Sequence, residues 1–315
     1  MMTVSTRQLC YLLFLCSVTL LSACNDLVDQ ENETTRFSGQ IINAVDFMSE
    51  IVTPDTTFLL DHTETDAIEL STNALKKAGE YEFTHGQKSF LIYLKPGTSL
   101  SIEVDYNIFD RSMRFEGETA IHNRYLQIKQ LTDQQYPDDN ELFLMNISEF
   151  LTAVQEQYEA QVAILNAIKD SINDDAFYTK TMGNLEYRWA NKLMNYDHMH
   201  GMLTAGVSSE ASDTIALLLN NVPIERPELL NSFRYINFVF NKITLKVNEQ
   251  MATKTFPAYM AEYEMLKSSL ALSTTLLQDS SLRKQINLEL LSHYENHIST
   301  EQKAELMQQY DITIP

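Results

Sequence analysis

The hydrophobic period of the chain changes near residue 118, and this change constrains the fold more than any other feature. Before it, short β-rich runs alternate between apolar and polar residues, as in SLSIEVD at 99–105. After it, apolar residues recur every three or four positions. The first period is typical of half-buried strands and the second of amphipathic helices. The pattern therefore predicts an α+β protein, with an antiparallel β-sandwich or barrel at 36–117 and an all-helical domain at 118–315.

Individual segments predict a central strand, a tight turn and an antiparallel arrangement of helices. Residues 90–94, FLIYL, are apolar at every position, which predicts a central strand. Lys95-Pro96-Gly97 predicts a tight turn, because proline fixes φ and glycine accepts a positive φ. No glycine follows Gly206, and turn residues separate several apolar stripes, which favours an antiparallel helical array. One of these stripes consists of Leu229, Phe233, Ile236, Phe240, Ile243 and Val247.

The N-terminus has the features of an export signal. Arg7 precedes an apolar run at 9–21, which is too short to span a membrane as a helix. The run ends in Leu21-Ser22-Ala23-Cys24, the pattern of a bacterial lipobox, in which the cysteine thiol accepts an acyl group such as palmitate. The alternative is an ordinary signal peptide with a chance cysteine. We expect a lipoprotein signal peptide at 1–23, lipidation of Cys24, and an acidic, extended tether at 24–35.

All three cysteines of the chain, Cys10, Cys16 and Cys24, lie in this N-terminal segment. Cleavage before Cys24 leaves one thiol, and that thiol carries the lipid. We therefore expect no disulfide, no zinc–thiolate site and no CxxC redox centre in the folded part. The net charge of −20 argues against a nucleic-acid partner and against electrostatic binding to anionic lipid. Attachment to the membrane then depends on the acyl chains.

Two pairs of histidines are candidate metal ligands. His293 and His297 stand four apart and share a face if the segment is helical, but the HExxH pattern is absent. We favour structural histidines, either packed or solvated, over a metal site. His198 and His200 are two apart and point to different helix faces, so we expect core packing there. No metal and no cofactor is predicted.

Other local patterns do not add up to an active site. Ser281 and Lys284 match S-x-x-K, but the SDN-type and KTG elements of penicillin-recognising enzymes are absent, so we interpret the match as chance. The pairs Asp138-Asp139 and Asp174-Asp175 lie in predicted turns, where aspartate caps a following helix. No catalytic residue is predicted.

The order of motifs resembles a known family. Residues 90–102, 113–117 and 123–126 resemble the N-terminal module of the TlpA-like (thioredoxin-like) disulfide-reductase lipoproteins of Bacteroidetes. In that family a lipobox precedes a β-sandwich with a PG-x-x-L-x-I hairpin, an F-x-G…N-x-Y-L exit and a helical region. The resemblance covers about residues 24–310 and rests on loose patterns of hydrophobic and turn residues.

One motif of this family, WCxxC, is absent from the sequence, and its absence bears on function. The family's C-terminal thioredoxin domain carries WCxxC, which occurs nowhere in this chain, so none of its catalytic residues carries over. We expect a non-enzymatic, membrane-anchored envelope lipoprotein that binds a partner or ligand. One alternative is the non-redox half of a split thiol–disulfide oxidoreductase, with a separately encoded thioredoxin-like module as its partner. The other is a surface lipoprotein that binds glycans or nutrients.

Two further features bear on location and modification. Asp26, Asp29, Glu31 and Glu33 resemble the acidic signal that directs Bacteroidetes lipoproteins to the cell surface, and a plain solvated linker is an equal alternative. We expect an outer-membrane location, on the periplasmic face or the cell surface. Thr214 follows Asp213, resembles an O-glycosylation acceptor of the same bacteria, and closes a predicted polar loop.

Overall fold

A computed structural model describes residues 34–44, 48–62, 67–205 and 212–313 of the chain. They form two compact units, the first ending at Arg124 and the second beginning at Tyr125. Every described strand lies in the first unit, and the second is helical. The predicted α+β class is therefore confirmed, while the predicted signal peptide and almost all of the tether lie outside the described residues.

Strands dominate the first unit. A 3₁₀ turn (Tyr106–Ile108) and a short helix α1 (Phe109–Ser112) interrupt them near their end. The strands at 49–52 and 61–62 are only four and two residues long, too short for an alternating sequence pattern to predict them. The described strands are β1 (Thr35–Ile42), β2 (Ser49–Val52), β3 (Thr57–Leu59), β4 (Asp61–His62), β5 (Ala67–Thr72), β6 (Gly79–His85), β7 (Lys88–Leu94), β8 (Ser99–Asp105) and β9 (Arg114–Gly117).

These strands form two sheets. The larger has the order β4-β5-β1-β8-β9 and the smaller the order β3-β2-β6-β7. Phe37 of the first sheet meets Phe83 of the second with ring centroids 5.5 Å apart, and Phe90 meets Phe115 at 6.0 Å. The two faces thus share a core, and the predicted sandwich forms rather than a closed barrel. One prediction is wrong in detail, because β1 pairs with β8 in parallel.

The position of β7 also differs from the sequence prediction. This strand lies at the edge of the four-stranded sheet, and Leu91 is exposed. On the same face, Tyr93 is buried because the ring of His122 stacks on it, with ring centroids 4.6 Å apart. A central position is therefore not needed to bury Tyr93, although Leu91 on the same face stays exposed.

Turn chemistry follows the sequence closely after β7. Gly97 has a φ of 75°, and the N–H of Thr98 donates to the carbonyl of Lys95 at 3.2 Å. Gly117, at the end of β9, has a φ of 104°. A Cβ at position 117 would overlap the carbonyl oxygen of Ser99. Glycine is therefore required at the end of this strand for two separate reasons.

The first unit extends beyond the last strand. The sequence placed the boundary after residue 117, whereas the compact unit includes the chain to Arg124. His122 and Asn123 explain the difference, since both lie in the first turn of the next helix and both contact Tyr93. The start of that helix therefore belongs to the sandwich.

Helices make up the rest of the described chain. A 3₁₀ turn (Pro227–Leu229) lies between the helix that ends at Asn220 and the helix that begins at Phe233. The helices are α2 (Ala120–Asp133), α3 (Asp139–Leu144), α4 (Ile147–Ile172), α5 (Asp175–Leu203), α6 (Ser212–Asn220), α7 (Phe233–Met251), α8 (Ala258–Leu276), α9 (Ser280–Tyr294) and α10 (Thr300–Gln309).

Two adjacent residues separate the longest helices. Asn173 has a φ of 45°, the left-handed conformation that ends a helix, and it follows α4. Asp174 caps α5 by accepting a hydrogen bond from the N–H of Phe177 at 2.9 Å. The chain can therefore reverse in two residues, which brings α4 and α5 together as neighbours. The core of the second unit includes the fully buried rings of Phe150, Tyr196 and Tyr235.

Candidate functional site

The histidine pair at 293 and 297 does not form a helical metal site. Helix α9 ends at Tyr294, so His297 lies beyond it and both side chains are exposed. The ring of His293 contacts Phe240 edge-on at 5.4 Å. Within the described ranges, no group of three or more histidine, cysteine, aspartate or glutamate side chains is placed to hold a metal ion.

In the second histidine pair, His200 matches the packing expectation and His198 does not. His200 is half-buried, its Nδ1 lies 2.9 Å from the carbonyl oxygen of Phe143, and its ring stacks on Tyr196 at 5.1 Å. His198 is exposed. The two side chains therefore have different environments and do not chelate together.

The predicted aspartate caps are present. Asp138 accepts from the N–H of Glu141 at 2.9 Å and forms a capping box at the start of α3, and Asp174 caps α5. Ser281 and Lys284 are both exposed in the first turns of α9, and no hydrogen bond joins them in the described structure. The S-x-x-K match therefore has no catalytic geometry.

The two predicted modification sites have different outcomes. Cys24 lies outside the described residues, so its lipidation stays a prediction. Thr214 is exposed, but it belongs to the first turn of α6 rather than to the end of a loop. The loop expectation was wrong because the helix begins at Ser212, whereas glycosylation of Thr214 remains untested.

A polar cluster between helices, which the sequence analysis missed, is centred on Asp133. Arg188 Nη1 donates to both carboxylate oxygens of Asp133, at 2.8 and 3.0 Å, and Lys129 Nζ lies 3.3 Å from Oδ2. The Nε2 atoms of Gln157 and Gln161 donate to Oδ1 at 3.1 and 3.0 Å. Helices α2, α4 and α5 are therefore joined at one carboxylate.

The electrostatics of this cluster are those of a stable, ionised carboxylate. Burial raises the pKa of Asp133, but the charges of Lys129 and Arg188 and their hydrogen bonds outweigh burial and hold the pKa below its ordinary value. A carboxylate in this state is a poor proton acceptor. The cluster therefore has the properties of a structural anchor rather than of a general base.

A third cation, Lys192, extends the cluster. Lys192 Nζ donates to Gln157 Oε1 at 2.9 Å and lies 2.8 Å from Asp139 Oδ1. Burial lowers the pKa of Lys192, and its ion pair with Asp139 opposes this effect without cancelling it. The signal that sequence analysis overlooked is the i, i+4 pair Gln157 and Gln161, whose amides occupy the buried face of a long apolar helix.

The cavity beside this cluster is too small for a ligand. It has a volume of about 20 Å³ and is lined by Tyr158, Trp189 and the polar residues of the cluster. Gln161 is 1% exposed, and its Oε1 meets no hydrogen-bond partner among the described residues. A volume of this size admits one water-sized molecule. The Asp133 cluster is therefore not a substrate pocket.

A larger groove lies between α7 and α9, and we call it the Phe233 groove. It has a volume of about 270 Å³. Phe233 is 80% exposed there, although the sequence pattern had assigned it to a core-facing stripe. The side chains of Glu289 and Ser292 make no hydrogen bond or ion pair within the described residues, although both residues lie in α9. The groove is lined by Phe233, Ile236, Asn237, Phe240, Glu289, Ser292 and His293.

This groove has the composition of a binding site. An exposed aromatic ring beside uncommitted polar side chains is typical of a surface that meets another molecule. Its carboxylate, hydroxyl and imidazole can orient a polar ligand, while Phe233 and Phe240 supply apolar contact area.

The chain is an α+β protein with a β-sandwich unit and a helical unit that carries this groove. No known protein family, curated protein or solved structure matches it. Among the helices described, none combines the length and the apolar character that a membrane span requires.

Proposed function

We propose that the protein is a lipid-anchored lipoprotein of the bacterial cell envelope, held at the outer membrane, and that it acts there as a non-catalytic binding module. One observation supports the lipid anchor. Cys24 ends an apolar export signal within Leu21-Ser22-Ala23-Cys24 and is the last cysteine of the chain. The remaining 25–315 segment has no thiol, so it cannot exchange a disulfide by itself.

Metabolic labelling tests the anchor. Cells that express the protein are fed an alkyne-bearing fatty acid, and the protein is purified and coupled to a fluorophore. We expect labelling of the native protein, loss of label in Cys24→Ser, and full label in the matched variant Cys16→Ser. Label that survives in Cys24→Ser, or no label in the native protein, contradicts the anchor.

The Phe233 groove supports the binding role. Because Phe233 is 80% exposed, Phe233→Ala removes little buried area and leaves the free energy of unfolding within about 0.5 kcal/mol of the native value. Leu217→Ala is a matched control, since Leu217 is also exposed and lies on α6. We expect crosslinking in intact cells to recover a ligand or partner with the native protein and Leu217→Ala, and to lose it with Phe233→Ala.

Glycan binding is the second candidate function. The observation that favours it is the placement of an exposed aromatic ring beside an amide, a carboxylate and a hydroxyl in one groove. Such a surface offers an apolar face for a sugar ring and polar groups for its hydroxyls. A glycan array probed with the native protein and with Phe233→Ala tests this. Signals that do not depend on Phe233 contradict glycan recognition by this groove.

Reduction of insulin disulfides tests the non-catalytic assignment. We expect no rate above the buffer background from the purified protein, because catalysis of this reaction needs a thiolate that attacks the disulfide. In this proposal the sulfur of Cys24 carries the lipid and is not a free thiol, so it cannot supply one. Reduction by the protein unaided would contradict this function.

A further inference from the structure

A separate cavity opens where the start of α9 meets the end of α10. Its volume is about 290 Å³, and we call it the Asn287 pocket. It lies apart from the Phe233 groove, with which it shares no lining residue. Its polar wall contains Ser280, Ser281, Arg283, Lys284, Asn287 and Asp311.

Asn287 is the buried polar group of this pocket. It is only 3% exposed, and its Oδ1 accepts a hydrogen bond from the Ser273 hydroxyl at 2.5 Å. Its Nδ2 donates to no atom within the described residues. Because Ser273 holds the oxygen, the uncommitted nitrogen is the polar atom that Asn287 offers to the pocket.

Two cations stand beside this amide. Arg283 Nη1 donates to the carbonyl of Leu277 at 2.8 Å, which fixes the guanidinium and leaves its other N–H groups uncommitted. Lys284 forms no ion pair in the described structure. The hydroxyls of Ser280 and Ser281 add donors in the first turn of α9, where the helix dipole also favours negative charge. The pocket therefore presents mainly donors.

One carboxylate limits how much negative charge the pocket accepts. Asp311 has a φ of 50°, and the N–H of Ile312 donates to the Met307 carbonyl at 2.9 Å, which fixes the chain at the end of α10. With two cations and one carboxylate in the wall, the pocket has a net charge of one positive unit. A single negative charge matches it better than a double one.

We propose that the Asn287 pocket binds the carboxylate group of a small polar molecule. Arg283, Lys284 and the Asn287 amide supply charge-assisted and neutral donors to its two oxygens. The remaining volume, next to two serine hydroxyls and Asp311, suits hydroxyl or ammonium groups on the same molecule. The inference goes beyond the binding role proposed above, because it places a second site away from the Phe233 groove, and the lipid anchor is tested by a different experiment.

Titration calorimetry with acetate tests the proposal, on the full-length protein purified in detergent. Chloride balances the ionic strength, and inorganic phosphate is the rival probe. We expect saturable binding of acetate that is tighter than that of phosphate. Lys284→Gln weakens acetate binding roughly tenfold, as expected for the loss of one charged hydrogen bond. Lys254→Gln, which removes another exposed lysine, leaves the affinity unchanged.

A second variant tests the amide directly. Asn287→Asp keeps an acceptor for Ser273 and places a negative charge in the pocket, so we expect it to abolish acetate binding. If this variant does not fold, Lys284→Glu makes the same test from an exposed position. Absence of saturable acetate binding, equal losses in Lys284→Gln and Lys254→Gln, or tighter binding of phosphate would each overturn the proposal. None of these outcomes depends on acylation of Cys24, so the two failures are distinguishable.

Discussion

The side chain of Asn123 pairs with the backbone of Tyr93 as a neighbouring strand would. Its Oδ1 accepts from the Tyr93 N–H at 2.8 Å, and its Nδ2 donates to the Tyr93 carbonyl at 3.0 Å. Tyr93 lies in β7, an edge strand, and unpaired edges invite pairing with other chains. Asn123 therefore closes part of this edge from within the protein.

Removal of this side chain should destabilise the first unit. Asn123→Ala removes both of these hydrogen bonds in a buried place, so we expect the free energy of unfolding to fall by about 2–3 kcal/mol. Chemical denaturation monitored by circular dichroism measures it. Asn73→Ala, at an exposed position, is the control and should stay within about 0.5 kcal/mol of the native value. Equal effects of the two variants would refute the role assigned to Asn123.

Two glycine-to-alanine substitutions should change the free energy of unfolding in opposite directions. At Gly117 the φ of 104° and the carbonyl oxygen of Ser99 exclude a Cβ, so Gly117→Ala should cost about 2 kcal/mol or more. At Gly201, within α5, a Cβ meets nothing within 4 Å, so Gly201→Ala should stabilise by about 0.5–1 kcal/mol through helix propensity. Thermal unfolding compares the pair. A stabilising Gly117→Ala would show that the turn after β9 is not as described.

Ionisation of Asp133 should make the free energy of unfolding depend on pH in the acidic range. Its pKa is lowered in the folded state, so its contribution is complete above the unfolded pKa and is lost as the pH falls through the folded pKa. Asp133→Asn leaves Arg188 and Lys129 without their carboxylate and should cost about 2 kcal/mol at neutral pH. The difference from the native protein should shrink in acid.

The measurement is the free energy of unfolding of both proteins over a pH series. Asp170→Asn serves as the control, because Asp170 is exposed and makes no ion pair in the described structure. A gap between native protein and Asp133→Asn that stays constant down to strongly acidic pH would argue against a depressed pKa at Asp133.

Features that depend on neighbouring residues were predictable from the sequence. The alternation in β8 buries Leu100, Ile102 and Val104, and Asp138 and Asp174 cap helices as expected. Each of these outcomes is decided within a few residues of the chain, so local chemistry is sufficient.

Features that depend on distant partners were not predictable. The parallel pairing of β1 with β8, and the place of β7 at an edge, follow from how separate segments meet. The side chains that contact Asp133 come from three helices, α2, α4 and α5. The stripe that contains Phe233 identified a shared face, but not how far neighbouring helices extend along it, and the first residue of α7 is left uncovered. The spacing of apolar residues predicts which side of a helix faces the core, but not which residues on that side are covered by a neighbouring helix.

The intact mass of the protein purified from membranes is the most direct test of the central claim, a lipid-anchored body without thiols. We predict a chain that begins at Cys24 and carries the added mass of its acyl chains, with the lipid on the N-terminal peptide after proteolysis. A chain that retains residues 1–23, or a mature N-terminus without acyl groups, would contradict it.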